Sequence, residues 1–268
     1  MSDHLSANVA RFSGFAALYD TMRPPPPHAL IDLLCQLART PRPALVVDLG
    51  SGTGLSTRIW ADRAEHVVGV EPSADMRGQA EAQHAATANV RFQAGFAHAT
   101  GLPDACADIV TISQALHWME PASTFAEVAR LLRPGGIFAA YDCDWPPTCD
   151  WEAEQAYHTC LDRVRVLEAT HGVARGVRHW DKQQHGENMR ASGQFRYIKE
   201  IALHQTELGN AARLVGIARS QGQVATLLKH GLSEDEIGIT ALHAAAQRAL
   251  GDAEAPWYWT YRVRIGVK

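Results

Sequence analysis

Three glycines at every second position, Gly50, Gly52 and Gly54, follow the acid Asp48 at the end of the apolar run Leu45–Leu49. Glycine accepts backbone conformations closed to other residues and lets main chain approach a ligand closely. This stretch, with Ser51 inside it, can therefore cradle a nucleotide-like group. Spacing narrows the ligand: a pyrophosphate cradle of the Gly-x-Gly-x-x-Gly kind needs glycine at position 55, and the chain has Leu55. Asp48 would repel a pyrophosphate in a partly desolvated crevice. It suits a cationic group instead, or accepts hydrogen bonds through ordered water. About twenty residues beyond the glycines, Glu71 ends the run His66–Val70, where doubly wound folds set an acid on ribose hydroxyls. The same acid can also cap a helix starting near Ser73.

The elements that must hold these residues are legible as a strand–helix alternation. Leu45–Leu49 is short and β-branched, a buried parallel strand, with a helix expected from near Leu55. His66–Val70 and Val90–Gln93 are the second and third strands, the latter leading into Gly95-Phe96-Ala97-His98. The fourth, Ala107–Ile112, runs into Ser113-Gln114-Ala115-Leu116-His117-Trp118, at the strand end where open α/β sheets bind ligands. A helix over Ser123–Leu132 carries Phe125, Val128, Ala129 and Leu132 at helical spacing and stops at Pro134-Gly135-Gly136, before strand five, Ile137–Tyr141. Upstream, Pro24–Pro27 enforce an extended turn ahead of a helix from His28 to Ala38. Downstream, helices are expected over Glu152–Ala169 and from His179, then a strand from Phe195 to about Glu207. Two helices follow, the second opened by the capping box Ser233–Glu236, and Trp257–Val267 closes the chain as a strand.

At this point the chain resembles the class I S-adenosylmethionine-dependent methyltransferases, whose cofactor has an ammonium and a sulfonium at its methionyl end and no phosphate. The resemblance runs from Asp48 to Asp142. Glu71-Pro72-Ser73-Ala74-Asp75-Met76 matches a frequent form of the family's second corner, and Arg133-Pro134-Gly135-Gly136 is another hallmark. Ala115-Leu116-His117-Trp118 is similar to a bacterial small-molecule subgroup of trans-aconitate and ubiquinone type. The resemblance implies an α/β fold: a doubly wound, seven-stranded, mostly parallel sheet of order 3-2-1-4-5-7-6, with a helical cap between strands 5 and 6. It implies one domain over 1–268, made of an N-terminal lid (1–40), a cofactor core (44–142), a substrate cap (145–194) and the rest of the sheet (195–268). S-adenosylmethionine would lie against Asp48, Gly50, Ser51, Gly52, Gly54, Glu71, Pro72, Met76, Phe96, Ala97 and Gln114. His98 stands where the family often has an acid. Tyr19-x-x-x-Arg23-Pro24 recurs in the subgroup and implies a lid bringing Tyr19 near the sulfonium and Arg23 near the cofactor carboxylate; packing of Tyr19 and Phe15 on the domain is the alternative. His117 is the candidate base or a pocket wall, with Trp118, Asp144, Trp145, His179 and Trp180 as further pocket candidates. Arg175 and Arg178 are candidate clamps for an acidic acceptor.

Composition bounds the function. A net charge of −4 over 268 residues, with no basic stripe, argues against nucleic acid. No apolar run approaches the ~20 residues of a membrane span, and Met1-Ser2-Asp3-His4 lacks a leader pattern, so a cytoplasmic location is expected. Five cysteines without a Cys-x-x-Cys pair fit a reducing compartment and no metal site. The reading is methyl transfer to O, N or C of a small molecule by a monomer or homodimer. The alternatives are a nicotinamide-dependent oxidoreductase and methylation of a protein.

Overall fold

The computed structural model describes residues 3–268; Met1 and Ser2, part of the expected lid and of the start read for a leader, lie outside the described residues. The chain opens with α1 (Asp3–Ala10), α2 (Ala16–Met22) and α3 (His28–Leu37). Then come β1 (Leu45–Leu49), β2 (His66–Val70), α4 (Ala74–His84), β3 (Val90–Gln93), β4 (Ala107–Ser113), α5 (Pro121–Leu131) and β5 (Leu132–Cys143). The remainder is α6 (Trp151–His171), α7 (His185–Ala191), β6 (Tyr197–Gly209), α8 (Ala211–Arg219), α9 (Gly222–Lys229), α10 (Glu234–Ile237), α11 (Ile239–Ala249) and β7 (Ala255–Val267).

The strands form one seven-stranded sheet of order β3-β2-β1-β4-β5-β7-β6, as expected. β1 pairs in parallel with β2 and β4, β2 with β3, and β4 with β5, while β7 lies antiparallel to β5. The order reverses between β1 and β4, so the crevice beyond their carboxyl ends is the topological switch point. The glycine loop follows β1 and Gln114–Trp118 follows β4, which brings both to that crevice.

Two compact units divide the chain. One comprises 25–143, 178–203 and 261–268; the other comprises 1–24, 144–177 and 204–260. The boundary splits the expected cap, since 178–194 goes with the sheet and 145–177 with the helices. In the first unit, Val47, Leu49, Val68, Val70, Val110, Ile112 and Phe138 bury the inner sheet. Phe138 stacks on Phe195 with centroids 5.5 Å apart, and Phe125 meets both rings edge-on. In the second unit, α11 packs on α6 and α8, and a buried ion pair joins Arg11 to Glu168 at 2.6 Å.

Three local expectations change. No α-helix follows Gly54; turns lead to a single 3-10 turn, Arg58–Trp60, because Ser56 and Thr57 direct their hydroxyls back to Asp48 instead of supporting a helix start. Arg133–Gly136 is not a simple helix stop. β5 already pairs at Leu132 with Ala107, and the register then jumps to Ile109–Ile137, so the four residues bulge out of the ladder. The two helices expected before the last strand are four: α9 is additional, and Gly238, at φ +95°, separates the capping-box turn α10 from α11.

Candidate active site

The site is built on the loop after β1. Gly50, Gly52 and Gly54 have φ of 66°, 55° and 85°, the left-handed region where a side chain is strained. A Cβ on Gly50 would lie 2.7 Å from Met119 Cε and 2.9 Å from Ala115 Cβ, so the loop is pressed against the segment after β4. A Cβ on Gly52 would meet no described atom within 4 Å. The loop is thus tight at its base and open at its crown.

Two carboxylates fix it. Asp48, read as the partner of a cation or of ordered water, is fully buried and accepts from Thr57 Oγ1 at 2.7 Å, Thr111 Oγ1 at 2.8 Å and Ser56 Oγ at 3.5 Å. Its register opposite Thr111 supplies one of these donors directly. Burial outweighs the three hydroxyls and pushes its pKa up to about 6. Ser56 also shares a short hydrogen bond with the buried Tyr141 hydroxyl. Glu71 accepts from the main-chain nitrogen of Gly52 at 3.0 Å and of Ser73 at 2.8 Å, so one side chain ties the glycine loop to the start of α4. Burial raises its pKa despite those donors. Ser73 is the N-cap of α4, accepting from the Met76 nitrogen, and Met76 is buried. Both readings of Glu71 therefore meet in one residue position: it supports the helix start and stands at the loop's crown. Among the described residues, the buried Ser51 hydroxyl has no hydrogen-bond partner.

The second wall follows β3. Phe96 stacks on His98 with centroids 5.6 Å apart, and Ala97 is buried. The third follows β4. Gln114 is held at φ +54°, unusual for a residue with a side chain, with its nitrogen bonded to Tyr141 O at 2.9 Å and Nε2 2.7 Å from Cys143 Sγ. A 3-10 turn, Leu116–Trp118, then sets the His117 ring against the Trp118 ring at 4.8 Å. His117 O accepts from Trp180 N at 2.8 Å, and His179 meets Trp118 edge-on. His117, Trp118, His179 and Trp180 thus assemble in the sheet unit. Arg178 covers the Trp180 ring at 4.6 Å.

Behind His117 lies a cluster that the sequence reading missed. Asp142, at the carboxyl end of β5, is buried with Lys182 Nζ at 2.9 Å, Arg264 Nη1 at 3.2 Å and His117 Nδ1 at 3.8 Å. Burial alone would raise its pKa; Lys182, His117 and Arg264 outweigh it and hold the carboxyl below its usual range. Burial first, then Lys182, depress His117 well below the usual histidine range, leaving a neutral imidazole at neutral pH. His185 is buried beside the same groups and pushed down to about 4.

Tyr19, Arg23 and Trp145 meet in the helical unit, to which Asp144 also belongs. The Arg23 guanidinium sits 4.7 Å from the Tyr19 ring centroid and 4.4 Å from a Trp145 ring. It donates to Ser220 Oγ and O at 3.1 and 3.0 Å and to Gln221 Oε1 at 2.9 Å. Asp144 N bonds Thr260 O at 2.9 Å, and Trp145 meets Trp259 edge-on. Gly172 and the nearby Arg175 lie in this unit too. Among the described residues, no cluster of three or more His, Cys, Asp or Glu is placed to hold a metal, and no helix is long and apolar enough to cross a membrane.

A family model described as a methyltransferase domain matches residues 47–140, which contain the glycine loop, Glu71 and His117. An uncharacterised methyltransferase of Mycobacterium tuberculosis is 38% identical over 126 residues, 47% of this chain and 49% of that protein. The malonyl-[acyl-carrier protein] O-methyltransferase of Pectobacterium atrosepticum is 35% identical over 95 residues, 35% of this chain and 36% of that protein. Aligned matches thus span about half or less of the length of these relatives. In fold, the chain is similar to a solved protein of Anaeromyxobacter dehalogenans at TM-score 0.63 and 24% identity, covering 91% of this chain and 97% of that one. Residues 47–140 thus match the methyltransferase-domain family model, and the sheet order and the glycine loop after β1 agree with that match.

Proposed function

We propose that this chain transfers a methyl group from S-adenosylmethionine to a small molecule bearing a hydroxyl, amine or nucleophilic carbon. The observation that carries the reading is the Gly52–Glu71 corner: a left-handed glycine with open space where its side chain would be, bonded to a buried carboxylate. Backbone N–H groups of this loop and the outer face of Glu71 suit the ribose and methionyl parts of a nucleoside carrying no phosphate. Ser51 Oγ, buried and unpartnered among the described residues, offers a further contact. Asp48 would act from below, holding Ser56, Thr57 and Thr111 and so the loop's shape. Pro72, Met76, Phe96 and Ala97 are the apolar candidates for the adenine face, and Gln114 for the methionyl end.

When bound, S-adenosylmethionine supplies an electrophilic methyl on a cationic sulfur. The chain's share is alignment, exclusion of water and management of one proton. His117 is the candidate for the proton: neutral at neutral pH, it can accept one from an acceptor hydroxyl or ammonium. The Trp118 ring packs against it as an apolar wall, and Trp180 N donates to its carbonyl.

Isothermal titration tests the reading: S-adenosylmethionine should bind with measurable heat and NAD should not. The opposite result would return the oxidoreductase alternative. Incubation with radiolabelled cofactor and separate metabolite, RNA and protein pools then locates the acceptor. Label appearing mainly in protein would replace a small-molecule acceptor with a macromolecular one.

A further inference from the structure

Three buried ring nitrogens without hydrogen-bond partners among the described residues converge at one place, His117 Nδ1 and both nitrogens of His185, beside Asp142 Oδ1 and Arg264 Nε, which meet only the ion-pair partners Lys182 Nζ at 2.9 Å and Glu200 Oε2 at 3.5 Å. Orphaned polar atoms are uncommon in native interiors, and each calls for an explanation. These lie behind the candidate base, at the carboxyl ends of β4 and β5, and their chemistry fits together. Asp142 is kept ionised by two cations, Lys182 Nζ on Oδ1 at 2.9 Å and Arg264 Nη1 on Oδ2 at 3.2 Å. An ionised carboxylate only accepts hydrogen bonds. The His117 nitrogen facing it, Nδ1, lies 3.8 Å away.

We propose that Asp142 is the positioning residue for His117, keeping the ring proton on Nδ1 so that Nε2 retains the lone pair that receives the acceptor's proton. The inference rests on the methyltransferase reading and extends it to a residue outside the expected site. At 3.8 Å the contact is longer than a hydrogen bond; such bonds in ligand-free enzymes often tighten only when the reactants are present. The step balances without a co-reactant: the acceptor O–H proton passes to Nε2, and the O–H electron pair stays on oxygen.

The charged and titratable groups around the ring come from four elements. Asp142 approaches from β5, Lys182 and His179 from the segment before α7, His185 from α7, and Arg264 from β7 behind Asp142. Two further contacts hold that segment in place: Trp180 N donates to His117 O at 2.8 Å, and Arg264 Nη2 donates to Lys182 O at 3.0 Å. Lys182 thus has two effects. It keeps Asp142 an acceptor, and it opposes a second positive charge on His117, which keeps the base free near neutrality.

The test is nitrogen-15 NMR of the full chain labelled at histidine, which reads the tautomer without knowledge of the acceptor. The His117 signals are those lost in His117→Gln. At pH 7 the wild type should show protonated Nδ1 and bare Nε2. Asp142→Asn should reverse or average the two, and Asp142→Glu should restore the wild-type pattern. Lys182→Met should retain the tautomer and move the His117 titration midpoint up by about one pH unit. That variant alone decides the matter if Asp142→Asn fails to fold. Wild-type His117 protonated on Nε2, a tautomer indifferent to Asp142→Asn, or a Lys182→Met midpoint that stays or falls would each overturn the proposal. Calorimetry with S-adenosylmethionine on the same samples separates the two readings. Absence of heat in wild type defeats the methyltransferase assignment and leaves the tautomer result standing. Folded Asp142→Asn should bind the cofactor within about twofold of wild type; a tenfold loss would place Asp142 in the cofactor site and overturn its positioning role.

Discussion

At the scale of residues, two buried carboxylates near the loop have different physical situations. Glu71 is met by two main-chain N–H groups and stands at the loop's open crown. Glu71→Ala should weaken S-adenosylmethionine binding by tenfold or more, about 1.4 kcal/mol, by calorimetry; unchanged affinity would remove it from the ribose. Asp48 is met only by hydroxyls and carries its charge at a cost. With its folded pKa raised from 3.8 to about 6, the native state binds the proton more tightly than the unfolded chain. Stability should therefore fall as pH rises from about 4 to about 6, by up to about 3 kcal/mol from this group. Asp48→Asn should remove that component, so urea denaturation of the pair across pH isolates it. A gap between the two proteins that stays constant with pH would contradict the burial argument. His117→Ala should lower turnover by roughly 100-fold or more while leaving cofactor affinity nearly intact, the signature of a lost base rather than a lost binding contact.

At the scale of elements, the glycine loop separates fold from function. Gly50 and Gly52 share a left-handed backbone, so alanine strains both by about 1 kcal/mol. Only Gly50 faces Met119 and Ala115. Gly52→Ala should therefore lose only a few degrees in Tm yet bind the cofactor at least tenfold more weakly, since the new methyl enters the open cradle. Gly50→Ala should lose clearly more Tm, and a scanning calorimeter read beside a titration distinguishes the two. This loop was legible in the sequence for the same reason that it matters: glycine spacing, β-branched runs and strand-end acids are local signals. β1 and β2 have the bounds read from their apolar runs, and the capping box at Ser233 is present. Local signals failed where tertiary partners decide. Inward-turned Ser56 and Thr57 displaced the helix after Gly54, and α9 had no cap or break to announce it. The Asp142 cluster draws on β5, the turn before α7 and β7, separated by up to 122 positions along the chain. It had no local clue, because Arg264 follows Thr260 and Arg262 on alternate positions and reads as a third outward residue, whereas it is buried in β7, which is flanked on both sides.

At the scale of the whole molecule, the chain passes from one compact unit to the other after Pro24, Cys143, Val177, Leu203 and Thr260. The sheet unit is therefore completed by a segment far along the chain, in which Tyr261–Val267 pairs with Ile137–Cys143 and brings Arg264 to Asp142. Loss of that strand would leave the β5 edge unpaired and Asp142 with Lys182 as its main cation. Arg264→Met tests the electrostatic part while keeping the strand. Stranding a buried charge outright costs about 3–5 kcal/mol; Lys182 stays on Asp142, so the variant should lose less than that in urea denaturation at pH 7. The pH dependence follows from Asp142. Its folded pKa lies below the usual carboxylate value, so its ionic stabilisation is present above that value and is lost as pH falls through the folded pKa. The gap between Arg264→Met and wild type should therefore narrow in acid, where Asp142 is protonated and needs no cation. A gap that does not narrow as pH falls would mean that Arg264 contributes through packing of its stem between β5 and the Lys182 turn, and that Lys182 alone keeps Asp142 ionised.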